Sequence, residues 1–235
     1  MMKIDKDILA NKGIAMVERY PYSTIERVST GGKRHYATPD GRKVPSVTTI
    51  LSETKDMTHL HAWRKRVGEQ EAQRIATESA NIGTVMHKSL ERHVLGQDRT
   101  PGTNLIQQKA HAMANVIIEQ GLKGVTEVWG SEINLYYPEL YAGTTDLVGV
   151  YNGEPFIGDF KQARKLKKKE WVEDYFLQLT AYAEAHNKLF GTHIRTGRIF
   201  ICTQANEFQT FEIDDYDRWS DQWYRRVEQY YKSVL

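Results

Sequence analysis

Tyr141-Ala142-Gly143-Thr144-Thr145-Asp146-Leu147-Val148-Gly149-Val150-Tyr151, then Asn152-Gly153, then Glu154-Pro155-Phe156-Ile157-Gly158-Asp159-Phe160-Lys161 is the stretch on which the fold turns. Asn-Gly between two runs rich in β-branched and aromatic residues marks a tight hairpin turn. The reading is two antiparallel strands, residues 141–151 and 155–161. Side chains alternate faces along a strand, so Ile157, Asp159 and Lys161 share one face while Phe160 turns to the other. Asp146 stands among apolar residues, where a lone carboxylate is costly. The hairpin predicts that Asp146, Asp159 and Lys161 meet at one end of the sheet. The same spacing also fits an ion pair on an edge strand.

Outward from the hairpin, residues 125–137 read as a further strand. Downstream come a helix over about 168–189, strands at 197–203 and 207–213, and a closing helix from Tyr216 towards Val234. Its Trp219, Trp223, Tyr224, Tyr230 and Tyr231 read as core packing or an oligomer contact. Upstream, the first 45 residues read as short strands and turns, with Asp40-Gly41 as a hairpin turn. Ser46 is placed to N-cap a short helix. A helical pattern covers about 60–95, with a break expected near Asn81-Ile82-Gly83. A loop at 97–104 and a helix at 105–119 follow, punctuated by Gly121 and Gly124. The expectation is one α/β domain over 1–235, with a mainly helical elaboration at 45–120 before a sheet-and-helix part at 125–235.

Composition sets limits. The 235 residues are 40% hydrophobic, enough for a substantial core, and the net charge of +2 does not by itself announce a nucleic-acid binder. The single cysteine, Cys202, lies in an apolar run and reads as a buried thiol; one cysteine excludes an intrachain disulfide and any multi-cysteine zinc or iron–sulfur site. No apolar run approaches the roughly 18 residues of a membrane span. Residues 1–7 look like neither a signal nor a transit peptide, so a soluble, reducing compartment such as the cytoplasm is the expected setting.

The Asp146, Asp159 and Lys161 group suits phosphodiester hydrolysis. Carboxylates are hard ligands for magnesium or manganese, which polarise phosphate and acidify bound water. A neighbouring ammonium can orient that water or stabilise developing charge. His87 and Glu91 lie four apart on one helix face, as a metal ligand and its orienting acid or as an ordinary surface pair. Gln178 and Tyr182 repeat that spacing in a mostly apolar run, in a cleft or at an amphipathic boundary.

Taken in order, Gly83-Thr84-x-x-His87-x-x-x-Glu91, Gly143-Thr144-Thr145-Asp146, Gly158-Asp159-Phe160-Lys161 and Gln178-x-x-x-Tyr182 resemble the PD-(D/E)XK nuclease superfamily, in particular its RecB-like exonuclease branch. The segment Val44-Pro45-Ser46-Val47-Thr48-Thr49-Ile50-Leu51 is similar to one in the mitochondrial genome maintenance exonuclease and its phage relatives. The matches run from Val44 to Tyr182; each is weak alone, and their order makes them specific. The resemblance implies a restriction-endonuclease-like mixed central sheet flanked by helices. It implies His87, Asp146, Asp159 and the Phe160 carbonyl as ligands of Mg2+ or Mn2+, and Lys161 as the catalytic lysine. Gln178 and Tyr182 would complete the site and contact the DNA backbone. Glu91 would support His87, and Glu132 would be a further supporting acid. The lack of cysteines sets aside the cluster-bearing branches, and no P-loop is evident.

Candidate DNA contacts lie on either side. Lys161-Gln162-Ala163-Arg164-Lys165-Leu166-Lys167-Lys168-Lys169 holds six cations and no acid, a track for phosphates or a solvated loop. Trp63, Arg64, Lys65 and Arg66 would form an arch over the site with Trp63 stacking on a base, or a core tryptophan beside a solvated face. Ser46 would present backbone N–H groups to a phosphate, or simply cap its helix. The expected function is a metal-dependent DNA exonuclease favouring single strands or frayed ends. The alternatives are a duplex-end recombination exonuclease, a structure-specific endonuclease and a non-catalytic DNA-binding subunit.

Overall fold

The computed structural model describes residues 14 and 16–234. The reading of residues 1–7 lies outside the described residues. Three short strands come first, β1 (Glu26–Thr30), β2 (Lys33–Ala37) and β3 (Lys43–Pro45), in one antiparallel sheet. Four helices follow: α1 (Val47–Glu53), α2 (Thr58–Val67), α3 (Glu69–Val94) and α4 (Leu105–Val116). A π turn and a 3-10 turn then lead into β4 (Val125–Tyr137), β5 (Tyr141–Tyr151) and β6 (Glu154–Ala163). The chain closes with α5 (Glu173–Phe190), β7 (Thr196–Thr203), β8 (Phe208–Glu212) and α6 (Tyr216–Val234).

Strands β4 to β8 form a five-stranded sheet in chain order. All neighbours are antiparallel except β6 and β7, which run parallel and are joined through α5. The fold is thus mixed α/β, a central sheet flanked by helices. At the β5–β6 turn Asn152 and Gly153 take φ of 50° and 89°, the consecutive positive values a two-residue hairpin requires.

Alternation along the strands divides the core between the two faces. Val148, Ile157, Ile199 and Ile201 pack with the buried side of α5 and with Trp219, Trp223, Val227 and Tyr230 of α6. Leu147, Phe156, Phe160, Phe200 and Cys202 pack with Ile82, Met86, Leu90 and Val94 of α3 and Met113 of α4. Of the α6 aromatics, Trp219, Trp223 and Tyr230 are core, as one of the two sequence readings had it, while Tyr224 and Tyr231 are partly buried. Among the described residues no helix is long and apolar enough to cross a membrane.

One boundary differs from expectation. The break in the long helical region falls at Gly68, whose φ of 87° no helix tolerates, and α3 runs unbroken through Asn81-Ile82-Gly83. Gly83 is harmless inside a helix whose Ile82, Met86, Leu90 and Val94 already bind it to the core. The first half of α3 buries only Ala72, and α2 buries none of its residues. Ahead of α2, Lys55 pairs with Asp174 of α5 at 2.6 Å; behind it, Ser79 of α3 accepts a hydrogen bond from Gln162 at the end of β6. Helix α2 thus joins the α5 side of the sheet to the α3 side.

Candidate active site

Three carboxylates stand side by side across the sheet. Ser131↔Leu147 and Ile133↔Thr145 pair across β4 and β5, which puts Glu132 opposite Asp146. Across β5 and β6 the ladder ends at Leu147↔Gly158, with Asp146 and Asp159 as the next position. There the strands part, and the Phe160 N–H donates to Asp146 Oδ2 at 2.7 Å in place of a ladder bond. Like charges directly opposite on neighbouring strands destabilise a sheet unless cations are brought to them. This sheet receives cations from both faces.

From the α3 face comes His87, whose Nδ1 lies 3.3 Å from Asp146 Oδ1 and 3.8 Å from Glu132 Oε1. From within β6 comes Lys161, with Nζ 2.5 Å from Asp159 Oδ2. Gln178 of α5 binds both members of that pair: its Nε2 donates to Asp159 Oδ1 at 3.2 Å, and its Oε1 accepts from Lys161 Nζ at 3.4 Å. The Tyr175 ring covers the lysine, with Nζ 5.1 Å from its centroid. Asp146 is 8% exposed and Asp159 2%.

Burial and charge set the protonation of the group. Burial disfavours a charged His87, yet Asp146 and Glu132 overcome it and push the imidazole up to about 10. Burial raises Asp159 to about 6 although Lys161 pulls the other way. For Asp146 burial is outweighed by His87 and Lys161, which hold the carboxyl below its ordinary value. For Lys161 burial is likewise outweighed, by Asp159 and Asp146, and its proton is held more tightly.

The donor set fits a divalent cation. One ligand atom each of His87, Glu132 and Asp146 lie within 4.8 Å of one another, two carboxylate oxygens and one nitrogen that could hold a metal ion once the imidazole proton is displaced. Asp159 flanks this group through its register with Asp146. Glu132, expected only in a supporting role, is therefore among the candidate ligands. Its backbone is strained, with φ of +52° in the middle of β4. Nothing in the sequence signals that conformation.

Other expected residues are placed differently. Glu91 does not bond to His87; Lys88, one turn of helix before it, takes its carboxylate at 2.7 Å. Tyr182 is 3% exposed and packs in the core beside Gln178 and Asp159. It also explains Gly143, where a Cβ would lie 2.8 Å from the Tyr182 Oη and Cε1. Ser46 is 2% exposed, and its Oγ accepts from the Thr49 N–H at 2.9 Å. It is a helix cap, the second of the two sequence readings.

The outlying cations divide as well. Lys169 pairs with Asp214 at 2.7 Å, and Lys168 lies 4.0 Å from Glu170. Lys167 is partly buried, and Arg164 and Lys165 are exposed; among the described residues these three have no acid within 4.0 Å. Trp63, Arg64, Lys65 and Arg66 lie on α2, with Trp63 partly buried. Trp171, which sequence reasoning passed over, is 58% exposed and is the one exposed Phe, Tyr or Trp among the described residues.

No family model matches the sequence, and no curated protein matches it significantly. Among solved structures the fold is similar to a candidate exonuclease from Eubacterium rectale, with a TM-score of 0.51 at 13% identity. The likeness covers 67% of this chain and 66% of that protein, so this chain spans slightly under two thirds of its length. A second structure, SSO0001, has a TM-score of 0.38 at 13% identity over 72% of this chain and 68% of its own, too distant to carry an argument. At such identity the likeness is one of fold.

Proposed function

We propose that this chain is a divalent-metal-dependent DNA exonuclease of the RecB-like branch of PD-(D/E)XK nucleases, working as a single catalytic unit inside a bacterial or phage-infected cell. The observation that carries the reading is the junction of two groups at the parting of β5 and β6. His87, Glu132 and Asp146 offer three donors to one ion, and Asp159, Lys161 and Gln178 form a hydrogen-bonded set beside them. The likeness of the fold to a candidate exonuclease supports it.

In this reading His87, Glu132, Asp146 and Asp159 hold the ion, with the Phe160 carbonyl as a further donor. The imidazole nitrogen favours manganese over magnesium. A divalent ion held there would supply Lewis-acid polarisation of a phosphate and acidify a water. Lys161 keeps its proton beside Asp159 and Asp146, so its ammonium is present to meet charge developing on the phosphate. Gln178 fixes the lysine against Asp159 and sets the direction from which it reaches the reacting atoms. Arg164, Lys165 and Lys167 beyond β6 follow the backbone of the strand. Helix α2, with Trp63, Arg64, Lys65 and Arg66, walls the approach and favours single strands or frayed ends over intact duplex.

The test is purified protein with manganese or magnesium on end-labelled single-stranded, duplex and circular DNA, with a chelator control. Cleavage from ends, abolished by the chelator and by Asp159→Ala, is expected. Activity that survives Asp159→Ala sinks the site, and efficient cutting of closed circles sinks the exonuclease assignment.

A further inference from the structure

A second cavity opens on the neighbouring flank of α3, towards the loop that leads to α4. It holds about 320 Å3, and its lining includes Thr84, Lys88, Ser89, Arg92, Arg99 and Thr100. Thr84 and Lys88 also line the cleft that contains His87 and Glu132. The two spaces therefore adjoin across one stretch of helix. Three cations line the second cavity and no carboxylate does.

Arg99 is the informative residue. It is half-buried, and its guanidinium is held in place by neutral acceptors: Nε donates to Ser89 Oγ at 3.1 Å, and Nη2 donates to Asn115 Oδ1 at 2.7 Å. Among the described residues no carboxylate lies within 4.0 Å of it, nor of the exposed Arg92. Lys88 is neutralised by Glu91, on the metal-cluster side of the helix. Asp98, Glu119, His93 and His111 face Arg99 from the hollow behind it, outside this cavity. A partly desolvated guanidinium with no carboxylate in direct contact is unfavourable, and a planar fork fixed by two hydrogen bonds is preorganised for an oxyanion. Serine and threonine hydroxyls around it add neutral donors of the kind phosphates use.

We propose that this cavity is a phosphate subsite, in which Arg99 and Arg92 hold a backbone or terminal phosphate of the strand whose neighbouring portion lies at the metal cluster. The identity of the strand rests on the nuclease reading; the anion site rests on the cavity itself.

The test is fluorescence anisotropy with labelled single-stranded oligonucleotides, bearing a 5′-phosphate or a 5′-hydroxyl, in EDTA over a range of salt concentrations. Wild type is compared with Arg92→Gln, Arg99→Gln and, as a distant control, Lys123→Gln. Each arginine variant should bind several-fold more weakly at low salt. Each should also lower the slope of log affinity against log salt by about 0.7, the signature of one lost phosphate contact on a single strand. Lys123→Gln should leave both unchanged. Loss confined to the 5′-phosphorylated probe assigns the site to a strand end, and equal loss with both assigns it to the backbone.

Arg99→Gln can also weaken the loop; Arg92 is exposed, so its variant carries the test alone if the other melts early. Unchanged slopes overturn the proposal. So does a melting shift with inorganic phosphate, lost in Arg92→Gln, if oligonucleotide affinity stays the same: the cavity then takes free phosphate only. Metal-dependent cleavage by wild type with unchanged slopes removes the subsite and leaves the nuclease. Reduced slopes without any cleavage remove the nuclease and leave the subsite.

Discussion

Glu132→Gly separates what the strained residue costs from what it does. At φ of +52° a side chain other than glycine's is disfavoured by roughly 1–2 kcal/mol. Glycine relieves that but gives back about 0.5–1 kcal/mol through the greater freedom of the unfolded chain. Removing one of the carboxylates opposite Asp146 acts in the stabilising direction. The attraction to His87 at 3.8 Å is lost, a small effect for a partly exposed pair. Without metal the variant should therefore be more stable by about 0.5–1 kcal/mol, a rise of roughly 1–4 °C in Tm for a chain of this size. With manganese at a hundred times its Kd, wild type should gain about 2.7 kcal/mol, or roughly 5–11 °C. Loss of the Glu132 carboxylate should weaken binding at least about 10–100-fold, leaving a gain of roughly 0.4–1.4 kcal/mol and a shift of about 1–6 °C. Calorimetric melts in EDTA and in manganese read both effects. A variant that melts no higher than wild type in EDTA refutes the strain argument. One that keeps the whole manganese shift refutes Glu132 as a ligand.

The remaining expectations concern the scaffold. Gly143→Ala pushes a methyl to 2.8 Å from the Tyr182 ring and hydroxyl and should cost about 1–3 kcal/mol in a urea melt. Adding Tyr182→Phe should recover part of the loss, and no recovery would mean the clash lies elsewhere. His186 is buried between Tyr22 and Thr192, and burial lowers its pKa from 6.5 to about 4. Because the folded pKa is below the unfolded one, its stabilising contribution is complete above pH 6.5 and is lost as pH falls towards 4. The loss approaches roughly 3 kcal/mol at full titration. His186→Gln should flatten that part of the pH–stability curve, and an identical slope in wild type and variant would contradict it. Burial also pushes the Cys202 thiol up to about 11, so alkylation by iodoacetamide at pH 8 should be slow until urea unfolds the chain. Rapid labelling of the native protein would contradict its place in the core.

Much of this protein was legible in its sequence because the signals were local. Asn152-Gly153 determined the hairpin by backbone sterics alone, and strand alternation then put Asp159 and Lys161 on one face and Phe160 on the other. Ser46 as a cap, the apolar face of α6 and the buried Cys202 followed from equally short-range chemistry. Tertiary structure decided what depends on residues far apart in the chain. It ran α3 straight through Gly83, because packing along Ile82, Met86, Leu90 and Val94 outweighs one glycine's propensity. It gave Glu91 to Lys88 and placed Tyr182 under Gly143. It brought Glu132 from β4 beside His87 from α3. The spacing of Asp146, Asp159 and Lys161 predicted a meeting of charges, and the ordered motifs pointed to His87 with Glu132 in a supporting role, but only the register of β4 with β5 and the approach of α3 put Glu132 among the candidate ligands. Register and helix docking are set by the whole core, and no segment carries them alone.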